Sequence, residues 1–116
     1  MRRYSIGELA SEFNLTPRTL RFWEEAALLF PIRPGTHRVY TEADRQWVQK
    51  IVSWSAAGLT LREIKAIRDM SETEIQSFLH ERLPAIQAAL DEEYAKRCRA
   101  IKAVLATISE PRRATA

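Results

Sequence analysis

The chain has one cysteine and three glycines, and no apolar run approaches the ~20 residues of a membrane span. The lone Cys98 excludes a disulfide framework within the chain and a multi-cysteine metal site. His37 and His80 share no ligand spacing with it, so no metal site is expected and no metal or redox sensing through Cys98. No charged-then-apolar segment opens the sequence, and a cytoplasmic protein is therefore expected. No nucleophile–base pair, phosphate-cradling glycine loop or carboxylate dyad is present. An enzyme reading has no foothold, and no cofactor is expected.

What is present is arginine. The 116 residues carry a net charge of +3, and 14 of the 18 basic residues are Arg, the side chain suited to bidentate contact with guanine or phosphate. The sequence pI of 9.4 favours an anionic partner without identifying one. The first fifty residues hold 8 basic and 6 acidic side chains, so any nucleic-acid-facing patch must be made by geometry.

Helix starts are written along the sequence. Ser5…Glu8, Thr41…Asp44, Thr60…Glu63 and Ser71…Glu74 each have the spacing of a capping box, Asp44 being the weakest because its side chain is short. Thr16-Pro17 adds an N-cap followed by proline at the first helical position. Helices are expected over about 6–13, 17–27, 41–57 with Gly58 as a left-handed stop, and from Thr60 through Ile67. Between residues 30 and 40, Pro31, Pro34 and Gly35 forbid a long helix, and Phe30–Arg33 and His37–Tyr40 are expected to form a short two-stranded wing. Pro84 is expected to end or kink the Ser71 helix, giving a short helix over about 72–80 and a long one from about 83. Residues 111–116 are expected to be a frayed tail.

The first two helices form a helix-turn-helix. In the second, Leu20, Trp23 and Ala27 share one side, while Arg18, Arg21 and Phe22 fall on the other. Such a helix is suited to enter a DNA major groove. The long C-terminal helix carries Leu83, Ile86, Leu90, Tyr94, Cys98, Ile101, Leu105 and Ile108 in one stripe, spaced by three or four. A lone amphipathic helix of about 26 residues needs a partner. Its acidic cluster at Asp91–Glu93 precedes a basic one at Lys96–Arg99, so an antiparallel pair would set opposite charges together. Cys98 in this stripe reads as a small hydrophobe.

The runs Tyr4-Ser-Ile-Gly-Glu-Leu-Ala10, Thr19-Leu-Arg-Phe-Trp-Glu24, Arg38-Val-Tyr40 and Gly58-Leu-Thr-Leu-Arg-Glu-Ile64 occur in that order. In sequence and spacing they resemble the MerR family of bacterial transcription regulators over residues 4–70. The resemblance implies an all-α fold with a small β-wing: a winged helix-turn-helix head of four helices over residues 1–70. A linker helix and an antiparallel coiled-coil dimerisation helix would follow over 71–110. It further implies a homodimer that binds a pseudo-palindromic promoter operator in double-stranded DNA and distorts it, beside RNA polymerase at the bacterial nucleoid. Trp23 and His37 stand where the family commonly has tyrosine, and the metal-binding cysteines of the metal-sensing branch are missing.

By position, Thr16, Arg18, Thr19, Arg21, Phe22 and Trp23 belong to the recognition helix, and Arg33, His37, Arg38 and Tyr40 to the wing. Arg62 opens a helix whose free N–H groups suit a phosphate. Arg33, Arg38 and Tyr40 are read as phosphate or minor-groove contacts rather than hairpin solubilisers. Phe22 reads either as core or as a contact to a sugar or thymine methyl. Trp23 reads mainly as core, and His37 as a DNA contact or an exposed turn residue. Trp47 and Trp54 read as core rather than as the lining of an effector pocket. A reading from another class is an excisionase-like architectural module without a regulatory role. The long self-pairing stripe separates the two, because a compact DNA-bending domain has no need of it.

Overall fold

A computed structural model of the chain describes residues 2–109, which part into two compact units between Ser71 and Glu72. Five helices follow in order: α1 Ile6–Glu12, α2 Pro17–Glu25, α3 Glu42–Ala57, α4 Leu61–Arg68 and α5 Glu72–Ser109. Three capping boxes are closed from both sides, at Ser5/Glu8, Thr41/Asp44 and Thr60/Glu63. Even the short Asp44 reaches back, accepting from the Thr41 N–H at 2.8 Å. Thr16 caps α2 by accepting from the Thr19 N–H at 3.1 Å, and Pro17 leaves no orphan donor there. Gly58 ends α3 with a φ of 106°, a left-handed stop that costs glycine nothing.

The first unit buries one face of each of its four helices. Leu9 of α1, Leu20 of α2, Val48 and Ile51 of α3, and Ile64 and Ile67 of α4 are all inaccessible to solvent. Trp47 is half-buried and donates its indole N–H to the Leu28 carbonyl at 2.8 Å. Its ring meets Trp54 edge-on, with centroids 5.8 Å apart. Arg45 braces α1 against α3, donating to both oxygens of Glu12 and to Glu42. Glu42 in turn accepts from the Tyr4 hydroxyl at 2.6 Å. That bond holds the Glu42 carboxyl below its ordinary pKa and pushes the Tyr4 phenol above its own.

The expected two-stranded wing is not formed as strands among the described residues. The segment turns back through Gly35, at a φ of 74°, but pairing is confined to one antiparallel bridge between Ile32 and Val39. Those residues exchange both hydrogen bonds, at 2.9 and 2.8 Å. The ladder cannot extend in either direction. In this register the next exchanging pairs would be 34 with 37 and 30 with 41. Pro34 has no N–H to give, and the Thr41 N–H is committed to Asp44. Tyr40 bonds the chain start instead, exchanging two 2.8 Å bonds with Tyr4.

The expected break near residue 82 is also absent. α5 runs unbroken for 38 residues with Pro84 inside it, about 57 Å at 1.5 Å per residue. Proline removes the bond to the carbonyl four residues back and crowds that carbonyl, but good helix formers flank it: Arg82 and Leu83 before, Ala85 after. The tail at 111–116 lies outside the described residues.

Candidate nucleic-acid interface

α2 is positioned by what it buries. Leu20 is fully buried and Trp23 is 6% exposed, which fixes the helix's rotation about its axis. The opposite side, with Arg18 and Arg21 three residues apart, then faces solvent. Trp23 is therefore core. Phe22 is 52% exposed, which removes the core reading and leaves an apolar group beside the two arginines. The Thr16 and Thr19 hydroxyls lie 3.0 Å apart at the helix start.

The wing residues divide. Arg33 is exposed and His37 is exposed, whereas Arg38 is half-buried. Tyr40, expected to contact phosphate or the minor groove, is completely buried. Its hydroxyl donates to Glu24 at 3.2 Å, and burial, with the Glu24 charge second, pushes the phenol well above its ordinary pKa. A neutral phenol turned inward and already donating cannot serve a phosphate, so Tyr40 is a core residue. Two backbone bonds to Tyr4 anchor the residue, and the hydroxyl reaches Glu24 of α2.

Glu24 has no role assigned from sequence, yet three wing side chains converge on it. Arg33 Nη2 donates to its Oε1 at 2.8 Å. Arg38 Nε lies 2.6 Å from Oε2, close enough for an ion pair but too poorly aligned for a hydrogen bond from that N–H. Tyr40 completes the set. A signal for this exists in the sequence, because Glu24 stands four residues after Leu20, on the side of α2 that buries Trp23. A carboxylate there requires partners. Arg21, Arg33 and Arg38 also line one open cleft with Glu24 and Glu25. Arg3, not anticipated from sequence, lines another beside His37 and Arg38. At the end of α2, Arg68 donates to the Ala27 carbonyl at 2.9 Å and covers the Phe30 ring at 4.0 Å.

Arg62 is exposed at the second position of α4. The stripe of α5 is exposed along its length at Leu83, Leu90, Tyr94, Ile101, Leu105 and Ile108, while Ile86 and Cys98 are half-buried. Among the described residues no cluster of His, Cys, Asp or Glu could hold a metal ion. No helix among them is long and apolar enough to cross a membrane.

A four-helix head with a capped, arginine-bearing second helix defines a helix-turn-helix protein, and comparison with known proteins makes the class specific. The MerR HTH family regulatory protein profile matches residues 4–71. The chain is 32% identical over 79 residues to the HTH-type transcriptional regulator MlrA of Escherichia coli K12, covering 66% of this chain and 32% of MlrA. It thus spans about a third of the length of that curated relative. A MerR-family transcriptional regulator from Bacillus cereus superposes with a TM-score of 0.78 at 28% identity, over 98% of this chain and 88% of the other. HiNmlR, a MerR family regulator lacking the sensor domain and solved bound to promoter DNA, shares the fold. Its TM-score is 0.64 at 23% identity, over 90% and 85% of the two chains. The chain belongs to the MerR family.

Proposed function

We propose that this protein is a homodimeric, sequence-specific DNA-binding regulator of transcription. On this reading it binds a pseudo-palindromic promoter operator and distorts the duplex beside RNA polymerase, in the bacterial cytoplasm at the nucleoid. The observation that carries the reading is the fixed rotation of α2. Leu20 and Trp23 are buried, so Arg18 and Arg21 are turned outward beside the arginine-lined cleft of the wing. Membership of the MerR family supports the same conclusion.

In this reading α2 enters the major groove and Arg18 reads a base edge, while Arg33, Arg38 and Arg62 neutralise phosphates. Residues 83–108 of two chains pair antiparallel, which sends the two heads to opposite ends, as two half-sites on one DNA face require. Both heads must engage for tight binding.

Genome-wide footprinting in the source organism would supply the operator, and binding would then be measured on operator variants at several salt concentrations. Affinity is expected to fall with a log–log salt slope of roughly −0.9 per neutralised phosphate. Arg18→Ala is expected to cost about 1–3 kcal/mol and to relax base choice at one position in each half-site. Arg38→Ala is expected to weaken all sites evenly. A flat salt response would overturn the reading.

A further inference from the structure

We infer that Glu24 is a positioning residue, a carboxylate that ties the wing to α2 and holds Arg33 and Arg38 at a fixed distance from Arg18 and Arg21. The inference rests on the DNA-binding reading above and adds to it a residue that itself touches no DNA.

The wing has little else to hold its shape. Within the wing the backbone pairs through the single Ile32–Val39 bridge, and a second bridge ties only its last residue, Tyr40, to Tyr4. An isolated pair of this kind does not define a rigid element. The side chains supply what the backbone lacks. Glu24 is 9% exposed and receives Arg33 on one oxygen, and Arg38 and Tyr40 on the other. Its two arginine partners keep different amounts of surface, 54% for Arg33 and 28% for Arg38. A guanidinium has five N–H donors in a planar fork. The bond from Arg33 Nη2 to Glu24 orients the fork, while more than half of the side chain stays exposed.

Charge arithmetic points the same way. Two guanidinium groups against one carboxylate leave a net positive charge, so the cluster still attracts phosphate. The buried Tyr40 hydroxyl fixes the carboxylate from below. Because Glu24 projects from the same helix as Arg18 and Arg21, the wing arginines are referenced directly to the groove-reading side chains. Fixing them in advance removes an ordering cost that would otherwise fall on DNA binding.

The test is Glu24→Gln in the full-length protein, which keeps the shape and one acceptor while removing the charge. Operator affinity is expected to fall about tenfold, the weight of roughly one charge-assisted hydrogen bond. The loss should be equal across operator variants, with a salt slope shallower by about 0.9 for each phosphate that is no longer neutralised. In an Arg33→Ala/Arg38→Ala background the same substitution should have almost no further effect, because Glu24 acts through those two residues. A merely structural carboxylate would lower the melting temperature and act equally in both backgrounds, which would overturn the inference. Tighter operator binding by Glu24→Gln would also overturn it, since Glu24 would then be a competitor of phosphate. The free protein gives an independent reading through the side-chain N–H resonances of Arg33 and Arg38. These should be dispersed in the wild type and collapse to solvent-averaged positions in Glu24→Gln. A wild type without operator affinity would sink the DNA reading and this inference with it, whereas unchanged operator affinity and resonances in the variant would sink this inference alone.

Discussion

Residues 2–71 and the helix α5 are built from similar amphipathic patterns and end in opposite states. In the first region thirteen apolar side chains are buried, drawn from all four helices and the segments between them. In α5 none of the described residues is buried to that degree, and Leu90, Tyr94, Ile101, Leu105 and Ile108 are each more than half exposed. The head closes its own core because four separate helices, joined by segments that reverse the chain, bring several faces together. An uninterrupted helix of 38 residues cannot fold back on itself. Its stripe has to be covered by something other than α5, and isolated helices owe most of their stability in proteins to such covering. The head is thus expected to hold its structure alone, and α5 to depend on a partner.

The largest effect expected from this contrast follows replacement of Leu90 and Ile101 by Asp. In the proposed antiparallel dimer each substitution places a carboxylate in the apolar seam, at a cost of several kcal/mol. Sedimentation should show a monomer, and tight operator binding should disappear. The head should remain folded, which the near-ultraviolet dichroism of the Trp47–Trp54 pair reports. A monomeric wild type at micromolar concentration that still binds its operator tightly would break the comparison. So would a variant whose head unfolds along with α5.

What is legible in the sequence divides along the same line. Caps are local: a hydroxyl and an acid three residues apart need no tertiary information, and Ser5/Glu8, Thr41/Asp44 and Thr60/Glu63 are all formed. The rotation of α2 is legible too, since Leu20 and Trp23 share one side. The departures from expectation are long-range or competitive. Tyr40 is buried where its backbone pairs with Tyr4, thirty-six residues earlier, and its hydroxyl meets Glu24, sixteen residues earlier. The wing forms no strands because the Thr41 N–H is taken by a cap. Glu24 gains its meaning from partners 9, 14 and 16 residues away. The candidate interface is therefore readable as a set of arginines, but not as an arrangement around one carboxylate. Pro84 departs from the rule for helix interiors because the long run of helix-forming neighbours outweighs it.

Pro84→Ala sharpens the contrast from the side of α5. Proline inside a helix is about 3 kcal/mol less favourable than alanine, and Pro84 sits in an uninterrupted helix at an exposed position. The substitution restores the N–H to the carbonyl of His80 and should raise the stability of the helix by up to about 3 kcal/mol. Thermal melting followed by far-ultraviolet dichroism should show an upward shift at fixed protein concentration. The head's tryptophan signal should move less. Equal shifts of both signals would mean that the two regions unfold as one unit and that their independence is wrong.

Ala27→Gly is the counterpart in the head, with a smaller effect. Ala27 follows the C-cap of α2 at a φ of 62°, a left-handed conformation in which the alanine Cβ crowds the following carbonyl, at about 1–2 kcal/mol. The conformation is held from outside the residue. The Leu28 N–H bonds back to Trp23 at 2.8 Å, and Arg68 grips the Ala27 carbonyl at 2.9 Å. Both bonds involve only backbone atoms of residues 27 and 28, so glycine keeps them. Against the relief of strain stands the greater freedom that glycine gives the unfolded chain, about 0.5–1 kcal/mol. The net expected gain is about 0.5–1 kcal/mol, seen as a higher denaturant midpoint of the tryptophan fluorescence with an unchanged slope. Operator affinity should not move, because the wing is referenced to Glu24 and not to residue 27. A loss of stability in Ala27→Gly would show that the left-handed turn after α2 is not strained, and that residue 27 of the head, unlike Pro84 of α5, is not at odds with its own conformation.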